Sequence, residues 1–256
     1  MIILGSIIAV IIGAVLVVHM KKEAKQNRLI THELYFPSLP LSFDGVMIFF
    51  ISDLHRRKLE DELLEQLPAS IDYVIIGGDL LEKNVPLEQV RENVQKLRRL
   101  GPTFFVWGNN DYEGDIQGLR ALFREEQVEE LVNRFTVIAQ NEDTLVFIGV
   151  DDLGHGRDRL SDALENAPDG FRILISHNPE IVHQLDPRHS LDLVLSGHTH
   201  GGQIRLFGLG LEKPGALTKH RTFVQLVSNG YGTTGVPFRL GAPPETHVLI
   251  LRRGKE

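Results

Sequence analysis

The sequence predicts an α/β fold of two packed sheets, built largely from βαβ units and preceded by one membrane-spanning helix. Three observations predict it. Residues 1–18 are an uncharged apolar run. From Phe43 onward, short apolar runs alternate with segments of helical period. After Gly201 the helical segments stop, and strand-like runs separated by glycine-rich loops remain.

The first run, MIILGSIIAVIIGAVLVV, is interrupted only by Gly5, Ser6 and Gly13. About 18 apolar residues is near the shortest length that crosses a bilayer. A secretory signal would start with a charged segment and end at a small-x-small cleavage site. Here only Met1 precedes the run, and Val17-Val18-His19-Met20 offers no such site. Residues 1–20 are therefore expected to be an uncleaved anchor. Lys21, Lys22, Lys25 and Arg28 follow it against Glu23 alone. By the positive-inside rule this predicts a single-pass protein of the cell membrane with the domain that follows in the cytoplasm. Residues 21–42 read as a juxtamembrane linker with an edge strand at 30–36, punctuated by Pro37 and Pro40. The domain proper is expected over 43–256.

Within that domain the runs 46–51, 73–76, 104–107, 173–175 and 193–195 are continuously apolar, as buried parallel strands are. Leu59, Leu63, Leu64 and Leu67 share a helical face after the first run. Leu87, Val90, Val94 and Leu97 do so after the second, with Pro86 suited to the opening turn. A short helix follows Pro179, using Ile181, Val182 and Leu185. The late runs 203–207, 222–228 and 246–252 are expected as strands of a second sheet packed on the first.

Each of the five apolar runs delivers metal-ligating side chains just beyond its end. Asp53 and His55 follow the first, Asp79 the second, Asn109-Asn110-Asp111 the third, His177 the fourth, and His198 and His200 the fifth. Open α/β sheets bind ligands beyond the carboxyl ends of their strands, so these side chains converge on one sheet edge. Any one piece alone is ordinary turn chemistry. Five in this order predict a site for two divalent ions. Carboxylate, imidazole and amide donors suit Mn, Fe or Zn. Asp79 is the side chain best built to bridge both. Two cations about 3.5–4 Å apart activate a shared water and clamp the entering and leaving oxygens at phosphorus. The expected chemistry is in-line attack of a metal-bound hydroxide on a phosphodiester or pyrophosphate bond.

Composition narrows the function classes. The chain has no cysteine, which excludes disulfides, thiolate zinc sites and iron–sulfur clusters. Its net charge is −7, and because residues 1–28 carry +3 the remainder carries −10. So acidic a domain argues against a nucleic-acid substrate.

The series Asp53-Leu54-His55, Gly78-Asp79, Gly108-Asn109-Asn110-Asp111, His177 and Gly197-His198-Thr199-His200 resembles the calcineurin-like metallophosphoesterases. Gly201-Gly202-Gln203-Ile204 and the run 230–239 look like the family's membrane-associated bacterial branch, which includes phosphodiesterases of nucleotide-linked lipids and hence of lipid metabolism. The resemblance covers residues 43–252. It implies a four-layer α/β/β/α sandwich with helices on both outer faces. It also implies one ion held by Asp53, His55, Asp79 and His200 and another by Asp79, Asn109, His177 and His198. Asp79, Asn110 and Asp111 are the expected catalytic set.

One residue departs from that pattern. The family usually reads Gly-Asn-His-Asp/Glu, with the His assisting the leaving oxygen, whereas this chain has Asn110. An amide donates a hydrogen bond but is no general acid near neutral pH. The expected substrates are therefore those whose leaving groups need little proton help, such as pyrophosphate linkages and aryl esters. The alternatives are that His155 or Tyr112 substitutes, or that the protein is a non-catalytic scaffold retaining the fold. His155 otherwise reads as part of a solvated turn and His183 as a surface residue. His32, His189 and His220 have no motif around them. Trp107 is expected in the core. Arg239 is expected to contact a phosphate or pair with Glu245, and the segment 230–242 to form a lid or a set of tight turns.

Overall fold

A computed structural model of the chain describes residues 2–255. Its first element, α1 (Ile2–Ala24), is a single helix of 23 residues. At 1.5 Å per residue it is about 34 Å long, enough to cross a hydrocarbon core of about 30 Å. Between Ile3 and Val18 its apolar side chains stay exposed, whereas Glu23 and Ala24 in its last turn are buried. The stretch 21–42, expected as a linker, contains that buried turn, the strand β1 (Leu29–Phe36) and a short 3-10 turn at Leu41–Phe43.

Two six-stranded sheets follow. The first takes β2 (Met47–Ile51), β3 (Tyr73–Ile76), β4 (Thr103–Phe105) and β5 (Glu129–Glu130) in parallel. The connections run through the helices α2 (Asp61–Leu64), α3 (Leu87–Arg98) and α4 (Ile116–Glu125). In the second, β6 (Arg134–Gln140) and β7 (Asp143–Gly149) form an antiparallel hairpin. After α5 (Leu160–Leu164), the strands β8 (Phe171–Ile175) and β9 (Leu193–Ser196) continue in parallel from β7. Next come β10 (Ala216–Lys219) and β11 (Val224–Val227), the latter parallel to β9, and last β12 (Thr246–Arg253).

Strand alternation builds the layers. Phe50, Ile75 and Phe104 of the first sheet meet Phe147, Ile173 and Leu195 of the second in a shared inner core. The intervening residues Phe49, Ile51, Val74, Ile76 and Phe105 face outward beneath Val90, Val94, Leu97, Leu119 and Phe123 of α3 and α4. Val146, Ile148, Leu174 and Val194 face the other way, beneath Leu160, Ala163 and Ile181. Period-2 alternation with both faces buried explains why these strands read as unbroken apolar runs. The α/β/β/α order expected from the sequence is present.

Three expectations are corrected. The run 246–252 is a strand but belongs to the first sheet, where β12 lies between β1 (parallel) and β2 (antiparallel). Sequence order alone does not assign a strand to a sheet. Residues 203–207 are not a strand: Gln203 and Phe207 have φ of 50° and 52°, which breaks the extended backbone and leaves isolated bridges from Ile204 to Leu240 and from Leu206 to Leu209. The helix after the first motif is one turn, Asp61–Leu64, so Leu67 only packs beside it. The short helix expected after Pro179 is present, as a 3-10 helix over Pro179–Gln184 that buries Ile181.

Candidate metal centre

The carboxyl ends of β2, β3, β4, β8 and β9 open on one edge, where the two sheets are laced together. Asp53 N–H donates to Gly78 O at 2.9 Å, and His198 N–H donates to both Asp53 carboxylate oxygens at 3.1 and 3.2 Å. His177 Nδ1–H donates to Gly77 O at 2.8 Å, which aims Nε2 at Asp79 Oδ2, 3.2 Å away. After β2, β3 and β9 the chain turns sharply through left-handed backbone. Asp53, His55, Asp79, His198 and His200 all have φ between 49° and 73°. Such residues cost roughly 1–3 kcal/mol each and persist where the surrounding structure over-determines them. Gly108 makes room for the site: a Cβ there would lie 2.2 Å from Asp79 Oδ1.

The donor atoms converge in two groups. Atoms of Asp53, His55 and His200 lie within 4.8 Å of one another, and so do atoms of Asp53, Asp79 and His177. Asp53 thus contributes to both groups. His55 Nε2 is 3.0 Å from His200 Nε2, and His198 Nδ1 is 3.2 Å from His177 Nε2. His200 Nε2 is also 3.3 Å from Asp53 Oδ1. Asn109 Oδ1 is buried with no hydrogen-bond partner. Imidazole nitrogens crowded together, an orphaned amide oxygen and two buried carboxylates are the surroundings of a cation, and the donor set fits divalent metals.

The electrostatics show how strongly the buried carboxylates favour positive charge at this place. Burial opposes charging His177, yet the Asp79 carboxylate beside it prevails and lifts the ring to about 10. In turn His177 outweighs burial at Asp79 and holds that carboxyl below the usual range. Burial drives His200 down to about 3, so this ring is neutral and has a lone pair to offer. Burial and the charge of His177 lower His198 as well.

Asn110 and Asp111 act on the Asp79 loop. Asn110 donates its backbone N–H to Asp79 Oδ1 at 2.8 Å and its side-chain amide to Oδ2 at 3.0 Å. Asp111 is fully buried and accepts from the backbone N–H groups of Asp79, Leu81 and Gly108, each at 2.8 Å. Burial and then Asp79 raise its carboxyl to about 7. These contacts make Asp111 a positioning residue for the loop.

Sequence reasoning missed two further participants, Glu82 and Arg57, and misread a third, Arg239. Glu82, three residues beyond Asp79, has Oε2 3.0 Å from His55 Nδ1 and is braced by Arg56. A carboxylate behind a ligating imidazole orients the ring and raises its basicity. Arg239 is fully buried, with its guanidinium lowered by burial to about 10. It donates to the carbonyls of His200, Asn229, Gly230, Gly232 and Ala242, and its Nη2 lies 3.1 Å from His200 Nδ1. Arg57, two residues past His55, donates to Lys25 O, Gln26 O and Tyr231 O and stacks 3.8 Å over the Tyr231 ring. Of the two that were missed, only Arg57, beside Asp53-Leu54-His55, offered a signal in the sequence.

Other sequence candidates sit apart from the cluster. His155 Nδ1 is 2.5 Å from Asp152, and Tyr112 donates to Asp151 at 2.5 Å, so both are held on the loop after β7. His183 is exposed and pairs with Glu180. Trp107 is core, its indole donating to Glu130. The turn at 230–232 packs beneath Asp53, with Tyr231 and Gly232 donating to Ser52 O and Asp53 O.

Comparisons with known proteins add the following. The profile of the family described as "Calcineurin-like phosphoesterase" matches residues 46–202. The uncharacterized protein YpbG of Bacillus subtilis (strain 168) is 41% identical over 246 residues, covering 93% of each chain. The Danio rerio "Transmembrane protein with metallophosphoesterase domain" is 30% identical over 97% of this chain, which spans 63% of that protein's length. Among solved structures, the phosphopantetheinyl hydrolase of Mycobacterium tuberculosis superposes with a TM-score of 0.51 at 15% identity, covering 74% of this chain and 91% of that one. This last likeness is one of fold.

Proposed function

Because the chain belongs to the calcineurin-like phosphoesterase family and is a metal-dependent phosphoester hydrolase, we propose that it is membrane-anchored, holds two divalent ions and cleaves a phosphodiester or pyrophosphate bond. The observation that carries this reading is the convergence of Asp53, His55, Asp79, His177 and His200 in two overlapping donor groups. Asn109, with its orphaned Oδ1, and His198 beside His177 complete the set. Asp53, His55, Asp79 and His200 would hold one ion, and Asp79, Asn109, His177 and His198 the other, drawn from Mn, Fe or Zn. When bound, such a pair supplies an activated water and neutralises charge developing at phosphorus.

The chain's own residues hold the geometry. Asp111 fixes the loop carrying Asp79, Gly77 O fixes the His177 ring and Glu82 faces the His55 ring. Asn110 supplies a neutral donor where a general acid would otherwise stand, which favours substrates with good leaving groups. Residues 1–20 serve as a single-pass anchor in the cell membrane, 21–42 as the segment fastening it to the body, and 43–256 as a cytoplasmic hydrolase. Such an anchor favours amphiphilic substrates, including nucleotide-linked lipids. The test is a turnover screen of the full chain loaded with Mn, Fe or Zn in turn. It compares phosphomonoesters, aryl and alkyl phosphodiesters, and pyrophosphate-linked lipids. The reading expects metal-dependent cleavage of aryl diesters or pyrophosphates, abolished in Asp79→Asn. Absence of turnover on every class would favour the scaffold alternative.

A further inference from the structure

Leu206, Phe207, Leu209 and Leu211 expose 56%, 102%, 78% and 96% of their surface, an apolar group crowded into six residues beside the site. The segment is built, not slack. Leu206 and Leu209 exchange both backbone hydrogen bonds at 2.9 Å, closing a two-residue turn whose central residues Phe207 and Gly208 have φ of 52° and 81°. Two positive φ values define the primed hairpin turn, and a bulky aromatic residue there is a backbone outlier. Arg205 ties the loop from beneath by donating to the carbonyls of Gly201, Gly208 and Glu212. The polar backbone is satisfied inward while the apolar side chains point out.

The loop also has a fixed relation to α1. Met20 O accepts from Arg239 N–H at 3.2 Å, and the next residue, Leu240, exchanges hydrogen bonds with Gln203 and Arg205. Two such strand spacings put the base of the loop on the order of 10 Å from the end of the apolar helix. Ala242 N–H donates to Glu23 Oε1, and Lys21 lies 5.9 Å over the Phe238 ring, so the helix end and this surface form one body. Beside the loop is a cavity of about 460 Å³ lined by the exposed Leu211, Thr234 and Val236, by Ile204, and by His198 and the buried His200.

We propose that the 206–211 loop is a second membrane contact, dipping into the interfacial layer of the bilayer that α1 spans and so opening the cavity above His198 and His200 toward the lipid headgroups. This rests on the anchor reading above and deepens it, because a phosphate carried on an apolar chain would enter along Leu211 and Val236 without leaving the surface. The occupant is the bilayer because the helix end bonded to this surface brings lipid to it. Apolar side chains on a rigid element settle into the headgroup boundary, and Lys21, Lys22, Lys25 and Arg28, in the last turn of α1 and just after it, suit anionic lipid.

The cysteine-free sequence allows one environment-sensitive nitrobenzoxadiazole probe per chain. Full-length Phe207→Cys and the control Glu142→Cys, at the exposed turn between β6 and β7, are labelled and reconstituted into phosphatidylcholine–phosphatidylglycerol vesicles. At position 207 the emission is expected to shift to the blue and be quenched by lipids carrying shallow nitroxides, while position 142 stays water-like. A chain that floats with the vesicles but gives the same water-like emission at both positions overturns the inference and leaves the anchor reading standing. Blue emission that nitroxide lipids fail to quench also overturns it and points to a second copy of the chain as the cover. Failure to float with vesicles removes the anchor reading and the inference with it.

Discussion

Asn110 grips Asp79 at both oxygens, through its backbone N–H at 2.8 Å and its side-chain amide at 3.0 Å. The amide therefore stands against the carboxylate assigned to bridge the ions, as a hydrogen-bond donor with no proton to give up. Restoring an imidazole by Asn110→His is expected to raise turnover of alkyl diesters by about 10²-fold or more while changing aryl diesters little, since general acid help contributes about 10²–10⁴-fold where the leaving group is poor. An aryl-to-alkyl ratio equal to that of the unaltered chain would refute the leaving-group argument.

Glu82 faces His55 from behind, and removing its charge tests whether that contact matters. Glu82→Gln is expected to weaken metal binding by about 10–100-fold, the usual effect of losing a carboxylate behind a ligating histidine. Competition against a chelator of known affinity measures it. Unchanged affinity would reduce Glu82 to a partner of Arg56.

Gly108 is pressed against Asp79. In Gly108→Ala the new methyl, 2.2 Å from Asp79 Oδ1, must displace the carboxylate or the loop. The expected variant folds, with far-ultraviolet circular dichroism like the parent, yet loses at least one ion and nearly all turnover. Full metal content in this variant would show that Asp79 is not fixed by its neighbour.

His247 supplies a pH dependence away from the metal cluster. Its ring is buried, with Nε2 3.0 Å from Ser228 Oγ and Nδ1 3.1 Å from His32 Nε2, and Glu245 lies 3.7 Å away. Burial, reinforced by His32 and Arg28, pushes it from 6.5 to about 3. Between those values the unfolded chain binds a proton that the folded chain does not. The stabilisation is thus present above pH 6.5 and lost as pH falls, by up to about 1.4 kcal/mol per pH unit. Urea unfolding followed through Trp107 should show a shallower acid slope in His247→Gln than in the parent. Equal slopes would mean that the ring is charged in the folded protein.

Much of this was legible in the sequence because the parallel strands bury both faces, so that 46–51 and 173–175 read as plain apolar runs ending at ligands. The left-handed turns at Asp53, Asp79 and His198 were not legible, because long-range contacts such as His198 N–H to the Asp53 carboxylate impose them. The sheet membership of β12 depends on pairing with β1 across more than two hundred residues. Arg239 was read as a phosphate contact or a partner of Glu245, since nothing local announces a guanidinium that binds five carbonyls. The 203–207 run had the apolar composition of a strand, and only backbone geometry reveals a hairpin tip there.

The central claim is that one carboxylate, Asp79, joins two ion sites. Metal analysis of the purified full chain, saturated with Mn, Fe or Zn and freed of loose ions, tests it most directly. The account predicts two ions per chain, falling to one or none in Asp79→Asn. One ion or fewer in the unaltered chain, or two retained in Asp79→Asn, would contradict it.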